Sequence, residues 1–497
     1  MKTSKTKTGV SSIIYTALLV VAIFLVGWAF APGHTNGDTI SMLTQAKTGV
    51  FGDWHSQLVS GIWFLLGGQP WVVALTLFVT LGSFGFLTYK LFRLAGFAHS
   101  TACIFAFLTC YTPPVLGYLG CVCKDTWVAV LFLGILFLSI RYYERHRLRV
   151  VLLRNITCIT AVLVRPDFIV IVGLFLVLEF LFLRESTLSL RLVRLMASGL
   201  VVLAGYFGAD GAMRYLEHTV RSYPEQFLYL SELADLSVAE NRALIPAPFL
   251  HGNDLATIKR HYRFQDPCPL FWGEPENEMI RFSNARQEIS DLRREWIREL
   301  WNNPSRALRH RFEILAAYLC TPYYYQPGIE TGIIDANTTG LFIYHKSANE
   351  LLLKYLVFFT NSPFAAFFHS ALQRHLISLL GCPILIALLL RYGPATICRR
   401  VLMVALVCAF FYQLLFSVLG FPPYFRFGYA GVMTFWIGVY VVVGDFVRLV
   451  IEKRSRRNAG AAVETAPRGL RQIPSLLPER SETERGGPEP GEPKSLI

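Results

Sequence analysis

The chain has 497 residues, of which 53% are hydrophobic and only 16% are charged, and its mean hydropathy is +0.43. A soluble domain carries roughly a quarter charged residues, so the composition excludes an ordinary soluble protein and predicts one that crosses a membrane many times. The net charge of +13 suits anionic lipid or nucleic acid. No basic face interleaves with exposed aromatic residues, which argues against nucleic-acid binding.

The first predicted element is an apolar span, Ile13–Phe30, which follows the basic start MKTSKTKT. No small-residue cleavage site closes this run, and it is long enough to cross a bilayer. We therefore expect an uncleaved first span with its amino end in the cytoplasm. Residues 31–70 follow as an outer loop, in which the apolar stretch 56–67 is too short to span and predicts a helix at the outer interface.

Nine further apolar runs bring the expected number of transmembrane helices to about ten. They cover residues 71–89, 97–112, 126–141, 150–164, 168–184, 192–209, 375–391, 400–418 and 427–448. This arrangement puts the basic clusters Arg141–Arg149, Arg184–Arg194 and Lys453–Arg457 on the cytoplasmic side, as the positive-inside rule requires. Both termini are then expected in the cytoplasm.

The composition divides the chain into four parts. An N-terminal module of about seven spans, 1–209, precedes a more polar outer domain, 210–370, in which Ile289, Leu292, Trp296 and Leu300 recur at helical spacing. A second amphipathic stretch, Ser305–Leu319, follows, and these helices are expected to cover the membrane domain as a lid. The last two parts are the closing spans, 371–450, and a tail rich in Pro, Gly, Glu and Arg, 451–497, which we expect to be disordered in the cytoplasm.

The ten cysteines lie mostly inside apolar runs, where a thiol behaves as a small hydrophobic group. Free thiols are one interpretation. An oxidising outer compartment would also allow Cys110 to pair with Cys121 or Cys123, and Cys268 to pair with Cys320. The sequence leaves both alternatives open.

Ionisable residues are few at the outer ends of the spans, and they are the candidate functional residues. They are Asp38, Asp53, His55, Lys124, Asp125, Arg165 and Arg426. Placed together at one outer level of an apolar bundle, such residues indicate a functional site.

Each candidate also has a structural interpretation. Asp38 could cap a short helix, and Lys124 with Asp125 could form an interfacial ion pair of little energetic value. Arg165 could extend its guanidinium to lipid head groups. His55, like His34, could be an ordinary surface histidine.

The motifs around these residues resemble the GT-C superfamily of integral membrane glycosyltransferases, such as aminoarabinose transferases and protein O-mannosyltransferases. The matching segments are GDTISMLTQA after the first span, DWHSQLVSGIWFLL, KDTWVAVLFL and PPYFRFGYAGVMTFW. Uncharacterised bacterial membrane proteins carry similar motifs. One departure is that Ser56-Gln57 stands where the superfamily usually has Pro-Pro.

The resemblance implies an all-α polytopic fold, with a GT-C-like juxtamembrane outer loop and a mostly helical periplasmic domain, in the bacterial cytoplasmic membrane. It implies an inverting transferase that takes a sugar from a polyprenyl-phosphate donor to a glycan, lipid or protein acceptor. Asp38 would be the general base, and Lys124, Arg165 and Arg426 would stabilise the departing phosphate. Asp125 would orient Lys124 or hold a divalent metal ion.

Two other classes of function compete with this interpretation. A transporter or flippase of a lipid-linked or polysaccharide substrate often shows internal repeats and ionisable residues at the membrane midplane. The sequence shows no repeat, and its recognised charges lie at one outer edge. A non-catalytic factor for envelope assembly or polymer export is the third possibility. The sequence specifies neither the sugar nor the acceptor.

Overall fold

A computed structural model describes residues 4–183, 187–216, 219–264, 266–273, 275–320, 344–361, 375–394, 396–419 and 428–464. Within these ranges the regular secondary structure is helical, and no residue belongs to a β-strand. Two isolated bridges, His34 with Cys121 and Gly52 with Val220, are the β-type contacts of the described residues. The predicted all-α class is therefore confirmed.

The helices before the outer domain follow one another with short connections. They are α1 (Ser4–Phe30), α2 (Gly37–Thr48), α3 (Gln57–Leu65), α4 (Pro70–Leu94), α5 (His99–Tyr111), α6 (Pro113–Leu119), α7 (Lys124–Arg145), α8 (Leu148–Val164), α9 (Ile169–Phe182) and α10 (Leu188–Leu216). A short 3-10 turn, Pro166–Phe168, joins α8 to α9. Arg165 lies immediately before this turn, at the end of α8.

The helices of the second half include several short ones. They are α11 (Gln226–Glu240), α12 (Ala247–Leu250), α13 (Leu255–His261), α14 (Cys268–Trp272), α15 (Arg286–Asn302), α16 (Pro304–Cys320), α17 (Lys346–Asn361), α18 (His375–Tyr392), α19 (Ile397–Leu419) and α20 (Tyr429–Glu464). Met1–Asp445 forms one compact unit, and Phe446–Ile497 forms another. Since α20 continues to Glu464, the expected disordered tail is helical from 451 to 464, and its remainder lies outside the described residues.

Six of the described helices are long and apolar enough to cross a membrane, which indicates a multi-pass membrane protein. They are Ser12–Phe30, Pro70–Leu94, Lys124–Arg145, Leu188–Leu216, Ile397–Leu415 and Tyr429–Asn458. Helices α5 and α6 are bent by 73° and make a seventh span if they are counted together. Two expected spans correspond to shorter helices, since α8 has 17 residues and α9 has 14. The count of about ten stays a prediction.

Helix α7 lies at the centre of the helical bundle, and α10 lies at its edge. Burial within the protein covers 78% of the apolar window of α7 but only 11% of that of α10. Helix α7 packs against α4, α8 and α19, whereas α10 buries little more than Ser198 and Val202. The central position of α7 is important because its first turn carries two of the candidate residues.

Residues after α10 build a second hydrophobic core of their own. Its buried members include Leu230, Leu233, Phe249, Leu270 and Leu292. The predicted amphipathic pattern is confirmed here: α15 buries its apolar stripe against this core, and its polar face is exposed. This core falls within the segment expected to form the outer domain, 210–370.

The nine cysteines whose side chains are described are free thiols, so the bridge proposed around the α6–α7 loop is absent. Cys110 is buried on α5, whereas the sulfur of Cys123 lies 3.3 Å from the hydroxyl of Thr126 in the first turn of α7. Cys268 is also free, and the side chain of Cys320 lies outside the described part of the chain. The free-thiol interpretation therefore describes this structure.

Candidate functional site

The loop between α1 and α2 pairs with the loop between α6 and α7, and this pairing builds the site. The backbone N–H of His34 donates to the carbonyl of Gly120 at 2.8 Å, and that of Val122 donates to the carbonyl of His34 at 3.0 Å. The hydroxyl of Thr39 then donates to the carbonyl of Val122. These bonds hold the first turn of α2 beside the first turn of α7.

Asp38 is not the cap of α2, because Asn36 has that role. The Asn36 side chain accepts from the backbone N–H of Thr39 at 3.0 Å, and Thr39 completes a capping box. The Asp38 carboxylate is 14% exposed, and one of its oxygens lies 3.4 Å from the Lys124 ammonium. Its place in the first turn also gives it the favourable end of the helix dipole. The structural interpretation of Asp38 as a cap is therefore wrong.

His55 reaches the same carboxylate from the start of α3. Its Nδ1 lies 3.8 Å from the second Asp38 oxygen, and its side chain is only 10% exposed. The neighbouring Ser56 caps α3 by accepting from the N–H of Val59, and its hydroxyl donates to the carbonyl of Leu163 near the end of α8. Ser56 thus fixes this loop against the bundle.

A second ionic group lies on α7 and on the turn after α8. The guanidinium of Arg165 pairs with the Asp125 carboxylate, and its Nε donates to both oxygens of Asp167 at 3.0 Å. A side-chain hydrogen bond also joins Arg165 to Tyr412 of α19. Asp125 is 1% exposed and Arg165 is 6% exposed, so this group is buried.

These contacts correct two interpretations of the sequence. Asp125 does not orient Lys124, because Asp125 pairs with Arg165 while Lys124 faces Asp38. Arg165 does not extend to lipid head groups, because two carboxylates hold it inside the protein. An arginine between two carboxylates is a strongly fixed group, since charge-assisted bonds from two of its nitrogens define its orientation.

Asp53 does not join these groups and has other partners. One oxygen of Asp53 accepts from the N–H and from the hydroxyl of Ser222, both at 2.7 Å. Its other oxygen lies 3.8 Å from the guanidinium of Arg214. Asp53 therefore ties the first outer loop to the segment that follows α10. Arg426 lies outside the described residues.

A divalent metal at Asp125 finds no geometric support among the described residues. The one described group of His, Cys, Asp or Glu residues with metal-like spacing comprises Asp235, His310 and Glu313. That group belongs to α11 and α16, and Arg306 already donates to both oxygens of Asp235, at 2.9 and 2.6 Å. A guanidinium thus occupies the position where a cation would bind.

Two titratable groups near the outer loops have displaced pKa values. Burial lowers the pKa of His34 to about 4. Asn349 of α17 lies 2.9 Å from Nε2 of this ring. The expectation of a surface histidine at 34 is wrong, since this side chain is enclosed between α1 and α17. Burial alone would raise the pKa of Asp235, but hydrogen bonds and charges from His310 and Arg306 lower it overall.

Two further buried ion pairs, which no sequence motif indicated, lie apart from these groups. Arg154 donates to both oxygens of Glu179, at 3.1 and 2.8 Å, and to the hydroxyl of Ser198 on α10. Arg399 pairs with Asp445 between α19 and α20. The sequence signal that could have identified these pairs is a charged residue inside or beside an apolar run. The expectation that charges lie at one edge is wrong.

The arrangement brings a carboxylate, an ammonium and an imidazole together at a partly exposed position. A separate buried group pairs an arginine with two carboxylates. A carboxylate in such a place can accept a proton, and the cations can stabilise an anionic group. No protein-family model matches the chain, and comparisons with curated proteins and with solved structures give no match either. A functional interpretation therefore depends on this geometry and on the motifs.

Proposed function

We propose that this chain is a membrane glycosyltransferase that moves a sugar from a polyprenyl-phosphate donor to an acceptor. The observation that carries the proposal is the contact between Asp38 and Lys124, 3.4 Å apart at the starts of α2 and α7. Sugar transfer needs a base for the acceptor and a cation for the leaving phosphate. The contact provides one of each, at a position that is 14–20% exposed.

In the proposed reaction the Asp38 carboxylate accepts the proton of the acceptor hydroxyl. The acceptor oxygen attacks the anomeric carbon, and the bond from that carbon to the phosphate oxygen breaks with inversion of configuration. Polyprenyl phosphate leaves with the electron pair of that bond. Lys124 neutralises the charge that develops on the phosphate. Arg165 is held between Asp125 and Asp167, whose two carboxylates offset its own charge, so the proposed step relies on Lys124.

The proposed topology has about ten spans, both termini in the cytoplasm and the outer domain on the opposite side. We propose that the membrane is the bacterial cytoplasmic membrane. Nucleotide sugars are absent from its outer side, so a lipid-linked donor suits a site there. The apolar spans beside the site suit a polyprenyl chain, which must stay in a hydrophobic environment.

A transporter or flippase is the second candidate, and one observation favours it. The Arg154–Glu179 pair is buried inside the bundle, and intramembrane ionisable pairs occur on substrate and proton pathways. In the described structure this pair is closed by two hydrogen bonds and tied to α10 through Ser198. Such a closed pair also suits a purely structural role.

The test is a transfer assay with purified full-length protein in nanodiscs. Polyprenyl phosphates carrying different radiolabelled sugars are supplied with the carbohydrate and lipid fractions of the source envelope. The proposal expects label to move from one of these donors to an acceptor, or slowly to water, and to do so in an Asp38-dependent manner. The same protein in sealed proteoliposomes tests the second candidate: movement of an intact donor across the bilayer without cleavage would replace the transferase by a flippase.

A further inference from the structure

Five aromatic rings meet where the first outer loop touches the outer domain. Trp54 lies against Phe282 with ring centroids 4.9 Å apart, and against Trp272 at 6.3 Å and nearly perpendicular. Trp272 stacks on Phe227 at 5.8 Å, and Phe271 stacks beneath Phe282 at 5.0 Å. We refer to these five residues as the aromatic platform.

The platform is only partly used for packing. Phe271 is buried in the outer-domain core, and Trp54, Phe227 and Phe282 are half-buried. Trp272 is 57% exposed although its neighbours offer a large apolar surface. An exposed indole on an array of rings provides an open, rigid face for a flat ligand.

The platform begins one residue from the candidate site. Trp54 directly precedes His55, whose Nδ1 lies 3.8 Å from the Asp38 carboxylate. Consecutive Cα atoms are about 3.8 Å apart, so adjacent residues of one loop hold the edge of the platform and the His55–Asp38 contact. The other neighbour of Trp54 in the chain is Asp53, and polar groups of Ser222 and Arg214 surround its carboxylate.

An aromatic surface next to polar side chains fits a carbohydrate better than a lipid chain. One face of a pyranose ring presents C–H groups with partial positive charge, which pack against the negative face of an indole. The hydroxyl groups at the ring edge require hydrogen-bonding partners, and Asp53, the residue before Trp54, brings carboxylate, hydroxyl and guanidinium groups together through its contacts with Ser222 and Arg214. Selective sites combine apolar walls with a few polar groups in this way.

We propose that the aromatic platform binds a sugar ring of the acceptor, so that the acceptor is a glycan. The identification of the ligand as an acceptor rests on the proposed glycosyltransferase function. In this arrangement Trp272 holds a sugar ring through its exposed face, and Trp54 connects the platform to the His55–Asp38 contact.

A binding experiment tests the platform without relying on catalysis. The full-length protein in nanodiscs is titrated with cellotetraose, chitotetraose, mannotetraose and maltotetraose, each up to roughly 10 mM, where even a weak complex forms. Tryptophan fluorescence reports binding. At least one tetrasaccharide should bind, and Trp272→Ala should weaken that binding roughly three- to tenfold, as expected for loss of one aromatic contact. Trp272→Phe should retain most of it.

Trp301→Ala is the control, because Trp301 is an exposed indole, 85% accessible, on α15 and is not one of the five platform residues. It should bind the sugar as the unchanged protein does. Binding of none of the four tetrasaccharides, or equal binding by Trp272→Ala, would overturn the inference. Quenching of Trp272 fluorescence by brominated lipids, measured against Trp272→Phe, would assign the platform to the membrane surface and would also overturn it.

The transfer assay separates failure of this inference from failure of the proposed function. If the protein transfers sugar and Trp272→Ala has the same KM for the envelope carbohydrate fraction, the platform is not the acceptor site but the transferase assignment stands. If sugar binds in a Trp272-dependent manner but no donor is ever cleaved, the platform is a carbohydrate site and the transferase assignment is wrong.

Discussion

Replacing Asp38 by asparagine should nearly abolish sugar transfer while leaving the fold intact. The substitution preserves the shape of the side chain but removes its ability to accept a proton. A positioned general base contributes roughly 10²–10⁴ in rate, which corresponds to about 3–5 kcal/mol of activation free energy. We expect kcat to fall within that range.

The expected cost in stability is much smaller, and the structure gives the reason. Asn36 caps α2, so the cap survives the change at position 38. The lost partner is Lys124, whose side chain is 20% exposed and can be rehydrated. Ion pairs near solvent are worth about 0–1 kcal/mol. The melting temperature in detergent should therefore change by only a few degrees.

The assay compares Asp38→Asn with Asp210→Asn at matched protein concentration in nanodiscs. Asp210 is a suitable control because it is a partly exposed carboxylate that also pairs with a cation, Arg214, at 2.8 Å. We expect initial rates of sugar transfer to fall only in Asp38→Asn. Near-native transfer by a folded Asp38→Asn protein would refute the assignment of Asp38 as the base.

Three other predictions follow from the described contacts. Asp125→Ala should lower the free energy of unfolding by roughly 1–3 kcal/mol, because Arg165 stays buried with Asp167 as its remaining carboxylate; an unchanged melting temperature in detergent would contradict this. Because burial lowers the pKa of His34 from 6.5 to about 4, the unfolded chain binds a proton between these pH values that the folded chain does not. Stability should therefore fall by roughly 3 kcal/mol as pH drops from 6.5 to 4, and thermal unfolding of His34→Gln should lack this component. For topology, a cysteine at exposed position Ser290 should react with an impermeant maleimide in intact cells, and one at Ser455 should not; the opposite labelling would invert the proposed orientation.

The amino-acid sequence by itself indicates a membrane protein and several of the residues that meet in the candidate site. Long apolar runs specify membrane helices locally, because each run must satisfy its own backbone hydrogen bonds in lipid. The stripe of α15 was predictable for a similar reason, since helical spacing alone determines which residues share a face. Asp38, His55, Lys124 and Arg165 were recognisable because ionisable residues are costly beside apolar runs.

Which charged side chains pair with each other in the site is decided by the tertiary structure. Lys124 and Asp125 are adjacent in the chain, yet one faces Asp38 and the other pairs with Arg165. Successive residues of a helix point in different directions, and the pairing of two loops, through His34 and Gly120, decides what each direction meets. No local pattern contains that information.

The same distinction explains the residues that were misread or missed. His34 looks like a surface residue in a polar loop, but α17, more than 300 positions later in the chain, covers it. Trp272 and the Arg154–Glu179 pair likewise depend on contacts between distant segments. Composition and periodicity act over a few residues and determine the helices and their apolar faces. Burial and charge pairing depend on which helices pack together, and only the folded chain decides this.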